Sequence, residues 1–200
     1  MNSLIVPGGF VGNLQSMASP EVVRAGEGAF LARWPNPVLL VPPIVEDAAN
    51  SMDESTEEEE PIADATPPAF STSAGRPSPI RGILESLRDS LVVPLVKSDR
   101  NHFTQMITIG RASNNDIILA LPTVSKLHGW FTGPGPTWRY HEAGSTNGSW
   151  IAGTKLAQRG SSAELEDGIE VGVGPKVRML FKTPAGLWET VRLLAARIAT

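Results

Sequence analysis

The 200-residue chain contains no cysteine. Disulfides, thiolate metal sites and cysteine nucleophiles are therefore excluded, and the missing disulfide framework fits a reducing, cytoplasmic setting. Histidine is scarce too: His102, His128 and His141 alone make a poor ligand set, so no metal and no other cofactor is expected. No long hydrophobic run occurs. The apolar stretch 37–45 is bracketed by prolines and far short of the roughly 20 residues a membrane helix needs. Residues 1–10 carry no Lys or Arg ahead of their apolar side chains, so a secretory signal is not expected, nor a membrane partner. Enzyme signatures are missing as well. There is no G-x-x-x-x-G-K-[ST] loop, no H-E-x-x-H, no G-x-S-x-G elbow and no kinase catalytic loop, and the expectation is a protein that is not an enzyme.

Charge is unevenly distributed. Residues 1–75 hold eleven acidic and two basic side chains and residues 76–200 hold ten and fifteen, so the overall −4 divides into −9 and +5. The acidic part runs through Ser51-Met52-Asp53-Glu54-Ser55-Thr56-Glu57-Glu58-Glu59-Glu60-Pro61 and on to Thr66-Pro67-Pro68, a composition that buries too little apolar surface to order itself. Residues 1–78 are expected to be a disordered arm, with 37–45 as a Pro-rich spacer. The basic part is too mildly charged, and lacks the aromatic-plus-cation stripe, to suggest nucleic acid as a partner.

Beyond residue 79 the pattern becomes regular. Ile83, Leu84, Leu87 and Leu91 fall at helical spacing, predicting a short helix or linker over 79–91. Short apolar or alternating runs follow at 92–97, 106–110, 117–119, 129–132, 137–141, 149–151, 169–173 and 177–182, each bounded by Gly, Pro, Asn or Ser. Many short strands with frequent turns predict an all-β chain, an antiparallel β-sandwich with short flanking helices. Leu187, Val191, Leu194 and Ile198 predict an amphipathic helix over 184–200, its stripe directed to the core.

Three polar loops interrupt the strands: Gly110-Arg111 with Asn115-Asp116-Ile117 behind it, Ser125-Lys126-Leu127-His128, and Gly144-Ser145-Thr146-Asn147-Gly148. A phosphate ester carries about −1.5 to −2 charge and three acceptor oxygens, so its reader needs cationic and neutral donors together. Arg111 offers a guanidinium fork and Lys126 a second charge. Ser125 offers a hydroxyl and its backbone N–H, and Thr146 and Asn147 add a hydroxyl and an amide. Singly, each has a plain structural reading: a solvated arginine, a serine capping a turn, an Asn-Gly turn.

In order, the loops resemble the forkhead-associated (FHA) domain, over 92–183. That resemblance implies a β-sandwich that reads phosphothreonine. It assigns Arg111, Ser125, Lys126, Thr146 and Asn147 to the phosphopeptide, with Gly110, His128 and Gly148 as structural support. It implies as partner a phosphothreonine-containing protein or Ser/Thr kinase substrate, and it makes a tail threonine such as Thr56 a possible self-docking site. Lys126 stands where the family often has Arg. The alternative reading is an FHA-like scaffold that holds its partner without phosphate.

Overall fold

The structure, a computed structural model, describes residues 4–5, 12–43, 87–133 and 137–198. Along the chain run β1 (Leu4–Ile5), β2 (Gly12–Asn13), α1 (Leu14–Met17), α2 (Pro20–Arg33), β3 (Val38–Val41), β4 (Leu91–Pro94), β5 (Ile107–Gly110), β6 (Ile117–Leu119), β7 (Gly129–Thr132), β8 (Trp138–Glu142), β9 (Ser149–Ile151), β10 (Thr154–Lys155), β11 (Ser162–Leu165), β12 (Glu170–Val173), β13 (Val177–Lys182) and α3 (Pro184–Ile198).

The strands form two sheets, in the orders β1-β6-β5-β7-β8-β11 and β10-β9-β12-β13-β3-β4-β2. Every ladder is antiparallel except β5 with β6. Parallel neighbours ordinarily need a crossover of a dozen residues or more. Here the overlap is only Ile109 with Ile117 and Gly110 with Ile118, so the short link 111–116 has about two residues of strand to retrace.

Between the sheets lies the main core, with Leu39, Val93, Ile109, Leu119, Phe131, Tyr140, Val173, Met179 and Phe181 essentially inaccessible to water. A second core covers the outer face of the second sheet, where Leu14, Phe30, Leu87, Leu187, Val191 and Leu194 meet Val38, Leu40 and Val92. The helices there start on legible signals. Ser19 caps α2 through its hydroxyl on the Val22 N–H, with Pro20 following, and Thr183 Oγ1 accepts from Gly186 N at the start of α3. The stripe of α3 is core packing as expected at Leu187, Val191 and Leu194, while Ile198 at its end is exposed.

The expectation of a disordered arm over 1–78 fails for residues 12–43. Val38–Val41, read from the sequence as a spacer, is an interior strand paired with β13 on one side and β4 on the other. Its four residues show no alternation because both faces are covered: Leu39 and Val41 enter the sandwich core, Val38 and Leu40 the helical layer. The β3 ladder therefore places the start of the sandwich well ahead of residue 92. Leu91, assigned to a helical stripe, opens β4 instead. The remainder of the expected helix, at 80–86, lies outside the described residues, as do the acidic run, Thr56 and Thr66. Among the described residues no helix is long and apolar enough to cross a membrane.

Candidate functional site

The link after β5, the loop between β6 and β7 and the loop between β8 and β9 meet at one end of the sandwich. Their backbones are bonded directly: Arg111 N donates to Ser125 O at 2.9 Å, and Ala112 N to Lys126 O at 3.1 Å. Asn115, buried behind them, donates its amide to the carbonyls of Ala112 (2.8 Å) and Lys126 (2.7 Å). Gly110 is obligatory here because a Cβ would run into the Lys126 carbonyl.

His128 ties the second loop to the third. It is wholly buried, its Nδ1 accepts the Ser125 N–H at 3.1 Å, and its Nε2 donates to Gly148 O at 2.9 Å. Both bonds require a neutral ring protonated on Nε2. Burial holds the His128 pKa below its ordinary value, with the Gly148 carbonyl and the Glu142 carboxylate pulling the other way. Gly148 itself takes φ +85°, and its carbonyl also receives the Gly174 N–H at 3.0 Å.

Of the five expected donors, the side chains of Ser125 and Thr146 are in direct contact. Ser125 Oγ accepts the Thr146 N–H at 3.0 Å and lies 3.4 Å from Thr146 Oγ1. Asn147 Nδ2 donates to Thr123 O at 2.7 Å, which aims the side chain back across the second loop. Arg111 is exposed and anchored by Nε to Val124 O at 3.1 Å, leaving its terminal guanidinium nitrogens with no carboxylate partner among the described residues. Lys126 is exposed on the second loop, next in sequence to Ser125. One expected donor is spent: the Ser125 backbone N–H belongs to His128 and does not face outward. The same geometry disassembles a Ser125–His128 nucleophile pair, since neither ring nitrogen is directed at Ser125 Oγ.

Two supporting groups were not foreseen. Glu142, buried at the end of β8, accepts from Gly144 N at 2.8 Å and Ser145 N at 2.5 Å through Oε1, and from the Ser149 hydroxyl through Oε2. Burial opposes its charge, but the Ser145 and Ser149 donors prevail and keep its pKa below the usual carboxylate value. Its inward alternation with Tyr140, two residues before Gly144, was the available signal. Asp116 is likewise buried. It receives Lys97 Nζ (2.8 Å), Ser98 N (2.8 Å) and Ser98 Oγ (2.6 Å) on one oxygen, and Thr108 N (2.7 Å), Thr108 Oγ1 (3.0 Å) and Asn101 Nδ2 (2.9 Å) on the other. Those donors outweigh its burial and hold it far below the ordinary carboxylate range.

A family model described as the FHA domain matches residues 107–174. The chain contains an FHA domain. The matched segment runs from β5 to the end of β12, and β13, β3, β4 and β2 complete its second sheet from outside it. No curated protein matches the chain. Among solved structures, the MEK1 FHA domain is similar over 78% of this chain and 98% of its own, at 16% identity and a TM-score of 0.43. The Slr1951 protein from Synechocystis sp. is similar over 74% and 95%, at 17% identity and a TM-score of 0.42. Mycobacterium tuberculosis EmbR, solved in complex with a low affinity phosphopeptide, is similar at 24% identity and a TM-score of 0.36; the match covers 40% of this chain and 20% of EmbR.

Proposed function

We propose that this FHA domain binds phosphothreonine in partner proteins and has no catalytic role of its own. The observation that carries the reading is the direct contact of Ser125 with Thr146, beside the outward guanidinium of Arg111 and the exposed Lys126. Two touching hydroxyls, with two exposed cations on the adjoining loops, supply the donor chemistry that a dianionic ester with three acceptor oxygens requires. Arg111 takes the phosphate with its free fork, Ser125 and Thr146 bond the remaining oxygens, Lys126 adds charge, and Asn147 meets the peptide main chain. His128, Glu142 and Gly148 fix the loops beforehand, which lowers the ordering cost of binding.

The partner is a Ser/Thr kinase substrate. Preference for phosphothreonine over phosphoserine rests on one methyl group, worth about 0.8 kcal/mol by area, or roughly fourfold. A larger ratio requires the methyl to fix the peptide's rotamer as well.

Titration of the full chain with a degenerate phosphothreonine peptide pool, and with its phosphoserine and unphosphorylated counterparts, tests the reading. Binding is expected only with phosphate, and Arg111→Ala should weaken it by about tenfold to a hundredfold, the worth of a charge-assisted bidentate contact. Equal binding of all three pools, with Arg111→Ala silent, would sink the phosphate reading and leave a phosphate-independent scaffold.

A further inference from the structure

On the outer face of the second sheet, Leu180 of β13 packs under the helices, but β9, β10 and β12 contribute no residue to that core. Across this flank the register sets four residues in one row: Lys155 on β10 opposite Trp150 on β9, Trp150 opposite Gly172 on β12, and Gly172 opposite Arg178 on β13. Their strand neighbours Ile151, Val171, Val173, Val177 and Met179 all enter the sandwich core, so the row faces outward by alternation. Trp150 belongs to neither core.

Both cations of the row are held on the indole. Lys155 Nζ lies 5.4 Å and the Arg178 guanidinium carbon 5.3 Å from its ring centroid. Gly172 keeps the space open, since a Cβ there would come within 3.2 Å of both Arg178 Nη1 and Trp150 Cβ. Arg178 Nη1 donates to Gly174 O at 3.0 Å and to Val177 O at 2.9 Å, and its Nε stands 3.6 Å from Glu170. Lys155 has no carboxylate partner among the described residues. Lys176, exposed in the turn between β12 and β13, adds a third positive charge. An aromatic ring orients cations without neutralising them, and on this flank Lys155, Lys176 and Arg178 outnumber Glu170, so the row suits a stretch of acidic chain.

The sequence supplies one. Asp53, Glu54, Glu57, Glu58, Glu59 and Glu60 put six carboxylates into eight residues. The connection that carries them leaves the fold beside the row. β3 pairs with β13 at Leu40 opposite Leu180, and the same register carried on by two residues sets Pro42 level with Arg178. Asp53 lies ten residues beyond Pro43. A flexible chain of that length spans about 16–19 Å, and the row crosses three inter-strand spacings, about 14 Å. We infer that the acidic run 53–60 docks on the row of Lys155, Trp150 and Arg178 of its own chain. Single exposed ion pairs are weak, but the tether holds the run at an effective concentration on the order of mM, so weak contacts suffice. The contact uses neither phosphate nor the three polar loops, and it stands or falls apart from the phosphopeptide reading.

The absence of cysteine gives the test a clean label. A nitroxide on Ser55→Cys in the full chain marks a single position, and the Trp150 indole N–H, assigned by its loss in Trp150→Phe, reads proximity by nuclear magnetic resonance. At about 0.01 M salt the indole signal should lose about half its intensity, and at about 1 M, where the screening length is about 3 Å, it should recover. Lys155→Glu should restore the signal at low salt, and because Lys155 is exposed the variant should keep the wild-type melting temperature. Glu57→Gln, Glu58→Gln, Glu59→Gln and Glu60→Gln together should restore it as well. A signal untouched by the label at low salt, or broadening that survives both 1 M salt and both sets of substitutions, overturns the docking and leaves the row to an acidic segment of another protein. Equal broadening in a mixture of spin-labelled chains with separate isotope-labelled chains, in which only contacts between copies register, overturns the arrangement within one chain and assigns the run to a second copy.

Discussion

At the scale of single residues, the loop end depends on side chains that point away from any ligand. His128 is the sharpest case, because both of its hydrogen bonds demand the neutral imidazole. Protonation would set an Nδ1 proton against the Ser125 N–H and loosen the second loop from its brace. Burial lowers the folded pKa below the ordinary histidine value, so the unfolded chain binds more protons in the interval between the two. Stability is then full above the ordinary value and is lost as pH falls through the folded one. His141, also lowered by burial and by Arg139, adds to the slope with the same sign. Glu142 and Asp116 are both held below the carboxylate range, so their contribution is lost only at lower pH. The melting temperature of the full chain should fall between about pH 7 and pH 5.5, and His128→Asn should flatten that fall while lowering stability throughout. Rising stability on acidification, or an unaltered slope in the variant, would refute the role given to His128.

At the scale of elements, β3 decides how the domain is bounded. Leu40 is fully buried against the helical layer, and its strand joins β13 to β4. Leu40→Ala should therefore cost about 2–5 kcal/mol, read as a shift in the urea midpoint. A change of a few tenths would restore the picture of a dispensable arm. The contrast between β3 and the strands foreseen from sequence is instructive. Ile107–Gly110, Ile117–Leu119, Gly129–Thr132 and Val177–Lys182 could be bounded because turn residues flank each one, and β7 and β13 alternate in burial as strands with one inward face do. β3 has two buried faces, no alternation and prolines at each border, and its neighbour β4 lies across 49 residues of other sequence, 42–90. Strand pairing at that distance leaves no local trace. α2 was illegible for a different reason: Gly26 breaks its regular geometry at φ +83°, and only Phe30 on it is fully buried. The three polar loops were legible because their polar residues are consecutive. Glu142 offered only its alternation with Tyr140, and the Asp116 network draws on Lys97, Ser98, Asn101 and Thr108, which only the fold brings together.

At the scale of the whole molecule, β3 and β4 are antiparallel neighbours, with Val41 opposite Leu91, so residues 42–90 form the connection of a single hairpin. The fold needs the two strands and the buried Leu87, and the ladder is indifferent to how many residues join them. Replacing residues 46–84 by Gly-Gly-Ser-Gly shortens the connection from 49 residues to 14, slightly under two doublings, and should stabilise the hairpin by about 1 kcal/mol through loop closure. The excised stretch holds nine acidic and two basic side chains, so the net charge of the chain moves from −4 to +3. A protein of net negative charge repels a dianionic phosphopeptide at long range, and one of net positive charge attracts it. The shortened protein should therefore unfold cooperatively, with a melting temperature equal to or above that of the full chain. It should bind a phosphothreonine peptide more tightly and with faster association at low salt. That gain should shrink as ionic strength rises and the screening length falls below about 10 Å. A gain that persists undiminished in high salt would mean that the excised residues act through direct contact with the loop end, and non-cooperative unfolding would mean that they hold the hairpin together.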